Sequence, residues 1–143
     1  MGKICWGRVF LGGLLAGVVI NIIEYVVHSI LLAEDWKQVQ AKMGPAWETT
    51  GAMIFYIVLG FVIGIFAIWF YAAIRPRYGP GPKTAVGAGV AVWLIGYLVP
   101  TLGSLPMGFL PTRLWTITVI VGLVEVIVAT LVGAWTYKEA AAT

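Results

Sequence analysis

Asn21, Glu24 and His28 are the residues of this chain whose types and spacing can do chemistry. They follow one another at steps of three and four, so on a helix they share an arc of about 60°. A carboxylate four residues before an imidazole reaches it directly, as a hydrogen-bonded acid–base pair does. All three sit in an apolar stretch, Val9 to Leu32, long enough to cross a bilayer. A charge there costs about 2.5–3.5 kcal/mol on insertion scales, so such residues face protein or water and are candidates for function. A second intramembrane acid, Glu125, lies near the middle of a later apolar stretch.

Four chemistries fit this set. Glu24, His28 and Glu125 could pass a proton or hold a small polar ligand in a carrier or membrane enzyme. His28 could be an axial ligand to a haem or chlorin, which needs two-fold pairing or a second ligand from another subunit, because it is the only histidine. A metal held by the two glutamates and His28 is not expected, since the chain lacks the duplicated Glu-x-x-His motif of bundle di-metal sites. The fourth possibility is an interhelical clamp, in which a protonated glutamate, Asn21, a tyrosine hydroxyl and a backbone carbonyl bond one another. A lone histidine supplies too few ligands for a site within one chain, so bonding to Glu24 is its expected role. No nucleophile–base arrangement or phosphate-cradling glycine loop is apparent, and no catalytic residue is assigned.

The elements that must position these groups are membrane spans. The 143 residues are 61% hydrophobic and 10% charged, whereas soluble domains carry about 25% charged residues. Spans of about 20 apolar residues are expected at Val9–Leu32, Gly51–Ile74, Thr84–Leu102 and Leu114–Tyr137, in a single all-α domain over residues 1–143. The first stretch is too long for a signal-peptide core and no small-x-small site follows it, so it is kept as a helix. Met1-Gly2-Lys3 is not a myristoylation signal, because position 6 is Trp6. From the helical rise, Asn21 and Glu125 lie near mid-membrane, with Glu24 about 5 Å and His28 about 11 Å nearer the side on which the first span ends.

Six cations, Lys3, Arg8, Arg75, Arg77, Lys83 and Lys138, fall on one side, and three, Lys37, Lys42 and Arg113, on the other. That split predicts that both termini and the Arg75–Lys83 loop are cytoplasmic. The net charge of +3 therefore reads as topology. No cationic cluster, aromatic RNA-binding motif or zinc pattern supports a nucleic-acid partner, and the single Cys5 excludes an internal disulfide.

Three connections follow. Between Ala33 and Thr50, Trp36, Val39 and Met43 recur at helical spacing among charged residues, which predicts a short interfacial helix ending at Gly44-Pro45, with Trp47 returning to the headgroups. Arg75 to Lys83 holds three prolines and is expected to be a stiff turn without helix. Gly103 to Arg113 mixes Pro106, Gly108 and Pro111 with Leu105, Met107, Phe109 and Leu110, and is expected to fold over the bundle end as a lid or to dock on a partner.

Small residues should set the packing: Gly13 and Gly17 on the first span, Gly60 and Gly64 with Tyr56, Ala67 and Tyr71 on the second, Gly89, Gly96 and Pro100 on the third, and Thr118, Gly122, Glu125, Ala129 and Gly133 on the fourth. Such stripes close a four-helix bundle, or make oligomer contacts where they point outward. Of the seven tryptophans only Trp93 falls at mid-depth.

The chain resembles a family of small bacterial four-span proteins catalogued only as a domain of unknown function. The likeness lies in the Gly17…Asn21 span with Trp36 and Met43-Gly44 after it, the stretch Val92 to Leu102, and the closing Gly133-Ala134-Trp135. It implies an inner-membrane four-helix fold and carries over no catalytic residue, and the Glu24/His28 pair is not assumed to be shared by the whole family. The expected role is a structural or accessory membrane subunit, self-associating or bound to other subunits, with the lipid bilayer as its surroundings. The alternative is a proton-handling, small-ligand or pigment-binding protein using the polar stripe.

Overall fold

The computed structural model describes residues 4–44, 49–108 and 110–137. The expectations for Lys3, Pro45, Trp47, Phe109, Lys138 and the Met43 side chain lie outside these. Among the described residues there is no strand, and four helical spans, Trp6–Leu31, Thr50–Tyr78, Pro82–Met107 and Thr112–Thr136, are long and apolar enough to cross a membrane. The protein is an all-α bundle.

Helix α1 (Trp6–Glu24) continues directly into a π-helical turn, Tyr25–Leu31. A short helix, α2 (Ala33–Met43), follows at once, with Glu34 and Asp35 in its first turn and Lys42 in its last, the signs that a helix dipole favours. Helix α3 (Thr50–Tyr78) is started by Thr49, whose Oγ1 accepts the Ala52 N–H at 3.2 Å. The third span comprises α4 (Pro82–Trp93), a second π turn (Leu94–Leu98), α5 (Val99–Ser104) and a 3₁₀ turn (Leu105–Met107). The last is α6 (Thr112–Thr136).

Two connections are shorter than their prolines suggested. The Arg75–Lys83 segment is mostly helix: α3 runs through Pro76 to Tyr78, and α4 opens on Pro82. Only Gly79-Pro80-Gly81 turns the chain, with φ of +82° and +129° at the two glycines. Pro76 forfeits one backbone bond but already has a helical φ, and Pro82 occupies the first turn, where no N–H is needed. Likewise Gly103–Met107 is helix and does not fold over the bundle end. Helix persists to Met107, Gly108 turns left-handed at φ +67°, and Thr112 starts α6. Leu105 and Met107 stay exposed. The bundle end is instead covered by Leu32 and α2, with Leu32 and Val39 buried beside Val27 and Leu114 against Trp36, Leu110 and Ile117.

Helix α1 packs against α3 and α6, and α4 against α6 and α3, which closes the ring. Glycine backbones set the spacing. A methyl group added at Gly64 would lie 2.5 Å from the Gly13 carbonyl oxygen, and one at Gly13 would lie 2.5 Å from the Ile65 Cα. On the other flank, Gly133 faces Gly12, whose carbonyl oxygen would lie 2.5 Å from an added methyl. Such contacts are how helices gain packing energy in lipid. Gly12 lies off the stripe that the sequence marks; its neighbour Gly13 stands out because it continues the Asn21 side of the helix. Beside these contacts Ala16, Ile20, Ile68, Ala88 and Ala129 form the central core.

The third span shows what the π turn does to a stripe. Gly89 packs on Ile127, with its virtual methyl 3.0 Å from that Cα, but Gly96 meets nothing within 4 Å. Gly96 and Pro100 are exposed. A wider turn between Leu94 and Leu98 changes the helical phase, so residues aligned by α-helical counting part company.

Candidate functional site

The site is a chain of polar side chains drawn from α2 and from every span except the second. Tyr97, on the second π turn, donates its hydroxyl to Glu125 Oε1 on α6 at 2.8 Å. Gly122, one turn before Glu125, makes this possible: a methyl there would lie 2.5 Å from the Tyr97 ring. Glu125 is 1% exposed. The Glu24 carboxyl, at the end of α1, hydrogen-bonds that of Glu125.

His28 extends the chain outward. Its Nε2 lies 3.1 Å from Glu24 Oε2, and its Nδ1 accepts the Trp36 indole N–H at 2.9 Å. An indole nitrogen only donates, so Nδ1 carries no proton, and the hydrogen sits on Nε2 facing Glu24. Trp36 thereby fixes the tautomer. The two rings also pack, with centroids 5.7 Å apart. The complete order is Trp36, His28, Glu24, Glu125, Tyr97, linking α2, the first span, α6 and the third span.

Asn21 belongs elsewhere. Its Nδ2 donates to Gly17 O at 2.8 Å and across to Ile57 O on α3 at 3.2 Å. Gly60 makes room, since a methyl there would lie 2.7 Å from that Nδ2. The reason is rotational: Asn21 lies about 60° from Glu24 around the helix, enough for one to face α3 and the other α6. Thus Glu24, His28 and Glu125 come together, while Asn21 ties α1 to α3.

Two further contacts brace the site. The Trp93 indole donates to Val119 O on α6 at 2.8 Å, one turn from Tyr97. Asp35 on α2, 8% exposed, pairs with Arg113 at the start of α6. This pair pins the helix that carries Trp36. Sequence reasoning missed the roles of Tyr97, Trp36 and the Asp35–Arg113 pair. The usable signal was spacing: Asp35 and Trp36 lie four and three residues before Val39, which places all three on one face of α2.

Both π turns carry a member of the chain, His28 on the first and Tyr97 on the second. Such turns are rare and recur at functional sites. The second precedes Pro100, which cannot donate to Gly96 O and so favours a widened turn. Ligation of a haem or chlorin by His28 would need a free ring nitrogen, and both are engaged by Trp36 and Glu24. Among the described residues no three His, Cys, Asp or Glu side chains are grouped to hold a metal ion. No family model matches the chain, and neither a curated protein nor a solved structure matches it.

Proposed function

We propose that this protein is a small structural or accessory subunit of a bacterial inner membrane, associating laterally with itself or with other membrane subunits. The observation that carries this reading is the closure of the polar chain. Trp36, His28, Glu24, Glu125 and Tyr97 each have a polar partner in another side chain of the same molecule. Such a chain orients helices, and its removal would leave polar groups unsatisfied in hydrocarbon. Lateral association is further supported by the α2-end half of α3, where Met53 to Leu59 are all exposed. Seven consecutive exposed side chains cover every side of a helix, so no other span buries this stretch; Asn21 bonds only its backbone. Purification in mild detergent, with native mass and an absorption spectrum, tests the reading. A colourless assembly larger than one chain is expected; a colourless monomer, or a Soret or chlorin band, would overturn it.

A second reading, proton handling or binding of a small polar ligand, is favoured by one specific feature. The Glu24 side chain is 36% exposed although it lies within a span, and an acid so placed faces water or a partner. Proton uptake by detergent-solubilised protein that vanishes in Glu24→Gln would support it over the first.

A further inference from the structure

At the end of the bundle opposite α2, a groove of about 400 Å³ opens between α3 and α4. Phe70, Ile74 and Tyr78 line one wall, and Lys83, Gly87 and Ala91 the other. Both sets step by four residues, so each is a straight stripe along its helix. Because the helices run antiparallel through the Gly79–Gly81 turn, Tyr78 and Lys83 stand at the mouth and Phe70 and Ala91 at the deep end. Eight residues of helix make the groove about 12 Å long, most of the roughly 15 Å from the hydrocarbon boundary to the bilayer centre. Its floor is open at Gly87, where an added methyl would meet nothing within 4 Å.

The mouth is cationic. Arg77 lies seven residues after Phe70, on the same face of α3. The carboxylates among the described residues are Glu24, Glu34, Asp35 and Glu125, and none lies at this end. The Tyr78 hydroxyl, on a side chain 68% exposed, adds a donor. An apolar slot that reaches toward mid-bilayer and opens beneath two cations and a phenol matches one lipid acyl chain under an anionic headgroup.

We infer that this groove binds one anionic phospholipid, its phosphate held by Lys83, Arg77 and Tyr78 and an acyl chain lying along Ile74, Gly87 and Ala91. The site stands apart from the polar chain and does not depend on the function proposed above. Two cations near the surface should strengthen binding of the anionic lipid by about thirtyfold over a neutral mouth.

The test is lipid titration of the full chain, followed by native mass spectrometry, with phosphatidylglycerol and phosphatidylcholine as probes. Wild type should retain one phosphatidylglycerol in preference to phosphatidylcholine. The double variant Arg77→Gln/Lys83→Gln should bind phosphatidylglycerol about thirtyfold more weakly, with phosphatidylcholine unchanged. Gly87→Leu fills the groove from a position where its Cβ meets nothing within 4 Å, so it should keep its helicity and melting temperature and lose both lipids. Wild type without a preference for phosphatidylglycerol, or either variant binding it as wild type does, would overturn the inference. So would displacement of the lipid by glycerol phosphate at equal concentration, which would assign the mouth to a free phosphate.

Discussion

The Tyr97 hydroxyl donates to Glu125 at 2.8 Å across the α6 interface, over the bare backbone of Gly122. This bond ties the third span to an intramembrane acid and closes the chain that begins at Trp36. Tyr97→Phe keeps the ring over Gly122 and removes only the donor. It should cost about 1–3 kcal/mol, because a buried acceptor loses its partner. Unfolding of the purified protein by denaturant in detergent measures this. Tyr97→Phe as stable as wild type would show that Glu125 is satisfied without it.

Two carboxyl groups placed together within the membrane are expected to share one proton, and replacement of either by Gln retains a donor and an acceptor at the same place. Both Gln variants should fold, whereas Lys at Glu125, which is 1% exposed, should not, since a long ammonium side chain must be desolvated and packed there. Infrared difference spectra should show a protonated carboxyl band at pH 7 in wild type that either Gln variant abolishes. Two ionised carboxylates in wild type would contradict the shared proton.

His28 and Trp36 should behave as one unit. Each of His28→Ala and Trp36→Phe is expected to destabilise the protein by about 1–3 kcal/mol. The double variant should cost less than their sum by about 0.5 kcal/mol or more, since residues in direct contact couple. Neither single variant should change the colour or bound species of the protein. Loss of a stoichiometric pigment, haem or metal in His28→Ala would reverse the assignment of this residue to packing.

Two glycines on different spans should respond oppositely to the same change. Gly64→Leu forces a side chain against the backbone of Gly13 and Gly17 and should separate α1 from α3, preventing stable folding. Gly96→Leu projects from an exposed position with nothing within 4 Å, so stability should be unchanged or slightly raised. Expression yield and thermal melting in detergent separate the two outcomes.

Topology is checked with reporter fusions. A reporter joined after Thr143 should read as cytoplasmic, and one inserted at Gly108 as periplasmic, from the six-to-three division of Lys and Arg. The reverse pattern would place the lipid groove and its cations in the outer leaflet.

What the sequence by itself determined is what hydrophobicity and local backbone preference decide. Four apolar runs of adequate length had to span, because a helix satisfies its own backbone in lipid, and the Trp36/Val39 spacing was enough to make α2 a helix. The small residues of α1, α3 and α6 announced close approach, since little else places Gly13, Gly17, Gly60 and Gly64 on facing stripes. The proximity of Glu24 to His28 was legible because four residues along a helix is a local distance. Only the tertiary structure decided that Asn21 bonds α3 while Glu24 bonds α6, because a rotation of about 60° is smaller than any periodic reading resolves. It alone decided that Trp36 reaches His28 and that Tyr97 reaches Glu125. Both contacts depend on π turns that shift the helical phase and on how closely neighbouring backbones pack. Proline content misled at Arg75–Lys83 and Gly103–Arg113 for a related reason: a proline ends a helix only where its missing bond cannot be spared. At Pro76 and Pro106 the chain keeps its helical turn, and it leaves only at Gly79 and Gly108, where the backbone turns to positive φ.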